Sequence, residues 1–340
     1  MKKIIISSQM RSGSTLLSNI LSGQKGVLIL PDFLHIARIK NAIGCNSLTD
    51  YMDNSTRLKA ITELDKNCNV ITKATGYKFK LNIKAEDFNN LLDFYNFVLN
   101  QEQFNSHQVI GHKTTESESI VSELLNHVDD LKCIHLIRDP RDVLVSNKKM
   151  FNQNSITVLK NWKTGFYHIQ NITKNENVLT IKYEDLISNP KSIFNKIKLF
   201  VGIDDIDLNH EIQWYGNKFQ ENSSFNDVTK LFDSSGIGRW KKSENWINIL
   251  AKIMIKNEMK HLGYEVKDSV SLKNPPIYFK YFINKTVLSA QSIFLYSRTI
   301  LRDLAVRLKI SRESFIWQYS LALYLKINNA INFLQKLVKM

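Results

Sequence analysis

The sequence predicts an α/β fold: a mostly parallel sheet flanked by helices, with a basic helical C-terminal extension. Three observations lead there. Short apolar runs of strand length alternate with segments whose apolar residues recur every three to four positions. The first run, Lys3 to Ser7, feeds a polar Ser/Arg/Gly turn and then a helix, which is how a nucleotide-binding α/β fold opens. Beyond Asn274-Pro275-Pro276 the chain turns basic and aromatic and contains no further glycine or proline.

Taken in order, Lys3 to Ser7 is a buried strand, and Leu16, Leu17, Ile20 and Leu21 place a helix directly after the glycine turn. Val27 to Leu30 is a second short strand, closed by Pro31. From about residue 35 to 106 the pattern is mostly helical, with Leu91, Leu92, Tyr95, Val98 and Leu99 on one face, and is expected to form a helical cap on the acceptor side. Val109 to Lys113 forms a strand, Ile120 to His127 a short helix, and Leu131 to Ile137 a strongly apolar strand. Asp139 is a good N-cap and Pro140 suits the first helical position, so a helix is expected from there through Met150. Val178 to Lys182 is a further strand, and a helix starts at Pro190 and stops near Gly202. Residues 1–270 then form the main domain. Residues 271–340 form a basic amphipathic extension, in which Ile327, Ile331, Leu334, Leu337 and Val338 keep helical spacing.

Composition narrows the function classes. An apolar content of 43% fits a globular chain and excludes a mainly disordered one. The net charge of +14 calls for an anionic partner, but +9 of it lies in residues 271–340, where 11 Lys/Arg face only Asp303 and Glu313. Any anion site in the main domain must therefore be local. Cys45, Cys68 and Cys133 are odd in number and lack CxxC spacing, which fits free thiols in a reducing compartment. The opening MKKIIISSQM has too short an apolar run for a secretory signal, and no stretch approaches the roughly 20 apolar residues of a membrane span. A cytoplasmic location is expected.

The first informative stretch is Arg11-Ser12-Gly13-Ser14-Thr15-Leu16-Leu17. A glycine after a strand allows a tight turn, and the amides that follow point at an anion with the help of the positive helix end. The hydroxyls of Ser12, Ser14 and Thr15 add donors, and Arg11 adds a charged fork. The loop is P-loop-like without being a Walker A motif. GxxxxGK[ST] set on Gly13 would require Gly and Lys where Ser8 and Ser14 stand. The missing lysine speaks against a kinase or ATPase and makes Arg11 the expected cation.

The second stretch runs from Leu136 to Ser146, with Arg138-Asp139-Pro140-Arg141-Asp142 at its centre. Strand C-ends form the ligand crevice of a parallel sheet. Arg138 leaves such an end, and Ser146 lies two turns into the next helix, placed to face the same crevice.

Together these stretches resemble the sulfotransferases that use 3′-phosphoadenosine-5′-phosphosulfate (PAPS). The family's 5′-phosphosulfate loop matches Arg11 to Leu17 and its 3′-phosphate motif matches Arg138 to Ser146, with about 127 residues between the two arginines. The Arg-Ser-Gly form of the loop resembles the carbohydrate and tyrosylprotein branches. Tyr183-Glu184-Asp185-Leu186 resembles a mainly structural family segment, and Gly236-Ile237-Gly238-Arg239-Trp240-Lys241 resembles the late loop that closes over the nucleotide. The resemblance covers roughly residues 1 to 265.

It implies in-line, metal-independent transfer of a sulfuryl group from PAPS to an acceptor hydroxyl or amine, with PAP as the other product. It implies nucleotide contacts from Arg11, Ser12, Gly13, Ser14, Thr15, Leu16, Arg138, Ser146, Gly238, Arg239 and Trp240. Asp32 is the first choice for the base, at the place where the Arg-Ser-Gly branch often carries a glutamate. His35 and His112 are rivals, and Lys113, in the run Gly111 to Thr115, is expected as a cation near the transferring group. The branch tilts the acceptor towards a saccharide or glycolipid. The tail arginines 298, 302 and 307, set among apolar residues, suit an anionic inner membrane face, packing on the core or an oligomer interface. A P-loop kinase or phosphotransferase and a non-catalytic nucleotide-binding protein remain as alternatives. Nucleic-acid binding has little support, because the basic residues lie mainly in the apolar tail.

Overall fold

The computed structural model describes residues 1–266 apart from 77, 152, 244 and most of 209–231, where only a two-residue antiparallel pair, Gln213–Trp214 with Asn217–Lys218, is described. The C-terminal extension, and with it every expectation for residues 271–340, lies outside the described residues.

Five strands form one parallel sheet: β1 (Lys2–Ser8), β2 (Val27–Leu30), β3 (Val109–Thr115), β4 (Leu131–Ile137) and β5 (Val178–Lys182), in the spatial order β2-β3-β1-β4-β5. The β-branched and leucine-rich runs of β1, β3 and β4 are largely buried, as the inner strands of a parallel sheet require, whereas β5 at the edge buries only Ile181. β1 sits in the middle because the chain steps outward to β2, returns through β3, and then crosses to β4 and β5 on the other side. The registers bring the C-terminal ends level, with Ser8 opposite both Thr115 and Leu136. The loops leaving β1 and β4 therefore flank the crevice where the winding direction reverses.

Alternation along β1 sends Ile4 and Ile6 to one face and Ile5 to the other. On the first face, α1 (Ser14–Ser22) contributes Leu17, Ile20 and Leu21. It is joined there by the pair α8 (Tyr183–Ser188) and α9 (Pro190–Val201), through Leu186, Ile193, Phe194, Ile197 and Val201. The second face is covered by α2 (Ile36–Ile43), α3 (Asn54–Thr75), α4 (Leu91–Leu99) and α5 (Glu118–His127). The segment expected as a cap thus packs on a sheet face, with Phe94, Tyr95, Val98 and Leu99 of α4 fully buried. It is also less helical than its pattern predicts. Between Gly76 and Asn90 the only helical turn described is 3₁₀, at Ala85–Asp87.

Several helices begin where a side chain seals their first amides. Asp53 accepts from the amide of Thr56 at 2.7 Å, Asn90 from that of Asp93 at 2.8 Å, and Asp139 from that of Arg141 at 2.9 Å. Pro140 occupies the first position of α6 (Pro140–Met150), as expected. Two further helices, α7 (Ser155–Ile172) and α10 (Asn245–His261), pack with α6 at the side of the crevice. The three cysteines are free, with Cys68 and Cys133 buried and Cys45 partly so. Among the described residues, no helix is long and apolar enough to cross a membrane.

Candidate active site

The loop after β1 is held in a shape that few residues adopt. Arg11 has φ 65° and Gly13 has φ 91°, both in the left-handed region. Gly13 caps α1 with no side chain on the first-turn amides, leaving these donors and the positive helix end directed at the crevice. The Ser8 hydroxyl donates to Ser14 Oγ at 2.8 Å and ties the strand end to the helix start. The Ser12 hydroxyl is buried and has no hydrogen-bond partner among the described residues. Thr15 and Leu16 follow on the first turn, half-buried.

Arg138, at the end of β4, joins this loop to a second one. Its Nη1 donates to the Arg11 carbonyl at 2.7 Å and its Nη2 to the Gly236 carbonyl at 2.5 Å. Its Nε is buried without a partner among the described residues. Arg11 in turn donates from Nε to Ser146 Oγ on α6 at 3.0 Å. The two sequence motifs, 127 residues apart, therefore meet as one unit. Arg138 is a bridge between loops as well as a candidate anion contact.

Tyr183 underlies the whole arrangement. Its ring lies 4.3 Å below the Arg138 guanidinium. A Cβ placed on Gly13 would sit 2.5 Å from the same ring, and one on Gly236 would sit 2.5 Å from its hydroxyl. Only glycine permits these approaches. The next residue, Glu184, accepts from the Asp139 amide at 2.9 Å and from the Tyr264 hydroxyl at 3.2 Å. The segment read as structural thus packs against all three loops of the candidate site, a role that no local pattern reveals.

The late loop carries Arg239 and Trp240. Arg239 donates from Nε to the Ser235 carbonyl at 2.6 Å, and Gly238 takes φ 71°. The Trp240 ring stacks on the Arg141 guanidinium at 3.6 Å. Arg141 is 2% exposed and forks onto Asp139, so it holds the motif together from inside the protein and does not face the crevice. Among the described residues, three guanidiniums remain around the crevice. Burial lowers the pKa of Arg11, and repulsion from Arg138 and Arg239 adds to the effect. Burial lowers that of Arg239 as well, again with repulsion from Arg138. A cluster of like charges held this close is stabilised by an anion.

Two strands away, at the C-ends of β2 and β3, lies the acceptor-side group. Asp32 Oδ2 accepts from the Thr115 hydroxyl at 2.8 Å and lies 3.8 Å from Lys113 Nζ. His35 Nε2 is 3.1 Å from Asp32 Oδ1, at ion-pair distance but without hydrogen-bond alignment. Burial lowers the His35 pKa, Asp32 opposes this, and Arg38 and Lys113 reinforce it. His112 is placed differently from the other candidates. Strand alternation turns it to the opposite face of β3 from Lys113, where it is 2% exposed and packs edge-on against Tyr95. Burial there depresses its pKa to about 3, which makes it a poor proton acceptor near neutral pH. Among the described residues no group of three His, Cys, Asp or Glu side chains is placed to hold a metal ion.

A parallel α/β sheet with a cationic double loop at its switch point is compatible with a nucleotide-dependent transferase, and the family comparison makes the class specific. The profile of the sulfotransferase family matches residues 3–207, more than half of the chain. The chain belongs to the sulfotransferase family. Among solved structures it is similar to the sulfotransferase domain from the curacin biosynthetic pathway (TM-score 0.50, 18% identity, covering 78% of this chain and 99% of that one). It is equally similar to the sulfotransferase domain of the Synechococcus PCC 7002 olefin synthase (TM-score 0.50, 18% identity, 78% and 95% covered). At such identity these likenesses show the fold. No curated protein sequence matches significantly.

Proposed function

We propose that the protein transfers the sulfuryl group of PAPS to an acceptor hydroxyl or amine. The observation that carries this reading is the convergence of Arg11, Arg138 and Arg239 on a crevice beside the Ser12 hydroxyl and Arg138 Nε, which are buried and without a partner among the described residues. Buried donors without partners are costly, and a bound anion would satisfy them. The 5′ end of the nucleotide is assigned to Arg11, Ser12, Gly13, Ser14, Thr15 and Leu16. Its 3′-phosphate is assigned to Arg138 and Ser146, with Gly238, Arg239 and Trp240 closing over it.

In the reaction, the acceptor oxygen attacks sulfur in line, and the bond between sulfur and the phosphate oxygen breaks. The acceptor proton goes to the Asp32–His35 pair, and charge growing on the departing phosphate is met by Arg11 and Lys113. Asp32 remains the first choice for the base because it joins His35, Lys113 and Thr115 at the strand ends. The Arg-Ser-Gly loop supports a saccharide or glycolipid acceptor by resemblance alone. Residues 271–340 are proposed as a separate basic extension on an anionic inner membrane face of a cytoplasmic protein.

The test is transfer of label from sulfur-labelled PAPS to an acceptor panel by the full-length chain. Asp32→Asn should retain PAP binding within about twofold while lowering turnover by roughly 10²–10⁴. Undiminished turnover in this variant would remove Asp32 as the base. Preferential binding of ATP-Mg²⁺ over PAP would favour the kinase reading instead.

A further inference from the structure

The late loop is fastened by a residue that the family resemblance did not single out. Asp142 lies in the first turn of α6 and is 1% exposed. Its carboxylate accepts from the Gly238 amide at 2.7 Å through Oδ2 and from the Trp240 amide at 2.9 Å through Oδ1. These amides open the 3₁₀ turn Arg239–Lys242, which Gly238 caps without any side chain of its own. A carboxylate from another element therefore does the work of an N-cap. Asp142 and Ser146 are four residues apart and share one face of α6. That face thus ties the late loop through Asp142 and the first loop through Ser146, while Arg138 bonds the carbonyls of both.

We infer that Asp142 is a positioning residue that latches the late loop closed and so places Arg239 in the arginine cluster. Arg138 and Arg11 repel the Arg239 guanidinium, and the bonds from Asp142, with that from Arg138 to the Gly236 carbonyl, hold the loop against this repulsion. Two charge-assisted bonds to main-chain amides restrain the loop without occupying the crevice. The inference rests on the PAPS reading of that crevice and extends it to the regulation of nucleotide closure.

The test uses calorimetric titration of PAP into the full-length protein, with Asp142→Ala, Asp142→Asn, Arg239→Ala and the Asp142→Ala/Arg239→Ala pair. Asp142→Ala should weaken PAP binding about tenfold and Asp142→Asn, which keeps one acceptor, several-fold. KM for PAPS should rise in step while KM for the acceptor stays level. Because Asp142 acts through the loop that carries Arg239, the double variant should lose less than the product of the two single losses. Losses that multiply, or PAP affinity within twofold of wild type in either Asp142 variant, would overturn the latch. If Asp142→Ala does not fold, Asp142→Asn and the exchange rates of the Gly238 and Trp240 amides decide the matter, the latch requiring that at least one of them exchange faster. Failure of the wild-type protein to bind PAP would instead overturn the nucleotide reading itself.

Discussion

Gly13 and Gly44 form a pair that isolates a contact at the base of the proposed nucleotide site. Both take left-handed φ, 91° and 80°, and both cap an α-helix. Their surroundings differ. A Cβ on Gly44 would meet nothing within 4 Å, whereas one on Gly13 would stand 2.5 Å from Tyr183 Cδ2 and 2.9 Å from Cε2. Gly44→Ala should therefore cost only the conformational strain, about 1 kcal/mol. Gly13→Ala bears that strain and must also push the tyrosine ring aside, adding about 1–3 kcal/mol of overpacking. The same ring supports Arg138 and abuts Gly236, so the displacement spreads to both other loops. Urea unfolding should show a loss of about 2–4 kcal/mol for Gly13→Ala against about 1 for Gly44→Ala. PAP affinity should fall at least about tenfold in the first and stay unchanged in the second. Equal stability losses and equal PAP affinities in the two variants would refute the claim that the Gly13–Tyr183 approach shapes the site.

Arg141→Lys should lower stability by about 2–3 kcal/mol in urea unfolding despite keeping the charge, because a lysine can neither fork onto Asp139 nor stack flat on Trp240. Acidification should also destabilise the fold. Burial holds His112 and His135 neutral in the folded protein down to about pH 3, while the unfolded chain protonates them below about 6.5. The unfolded state thus binds more protons between those values, and stability falls as pH drops through 6.5, by up to about 1.4 kcal/mol per pH unit per ring. Glu118 works in the opposite sense. Burial raises its pKa from 4.5 to about 7, so its contribution is lost as pH rises through that window. Removing one ring with His135→Gln should therefore flatten the acid limb of the urea midpoint against pH. An unchanged slope would contradict the burial assignment.

The strands and the two anion motifs were legible because each is written in contiguous residues. The strands at residues 27–30, 131–137 and 178–182 and the helix starting at Pro140 coincide with their apolar runs and cap signals. Arg11 and Arg138 stood out for the same reason, each lying at a strand end with its glycine or cap beside it, and the structure brings the two together. Helix α7 was equally readable, since Ile156, Leu159, Trp162, Phe166 and Ile169 repeat at helical spacing, but no motif drew attention to it. The segment from 78 to 90 departed from expectation: its Phe79 stacks on Phe33 and its helical turn is a short 3₁₀ one at Ala85–Asp87. The latch and the tyrosine platform are different in kind. Asp142 meets Gly238 across 96 residues, and the Tyr183 ring matters through glycines at 13 and 236. Such pairings arise from the sheet order, and no local pattern carries them.

The central claim is that one crevice recognises both ends of a nucleotide bearing a 3′-phosphate. The most direct measurement is calorimetric titration of the full-length protein with PAP and with AMP, which lacks the 3′-phosphate, repeated on Arg138→Ala. The account predicts that PAP binds at least about tenfold more tightly than AMP to the wild type, and that this preference collapses in Arg138→Ala. Equal affinity for PAP and AMP in the wild-type protein, or a preference that survives loss of Arg138, would contradict it.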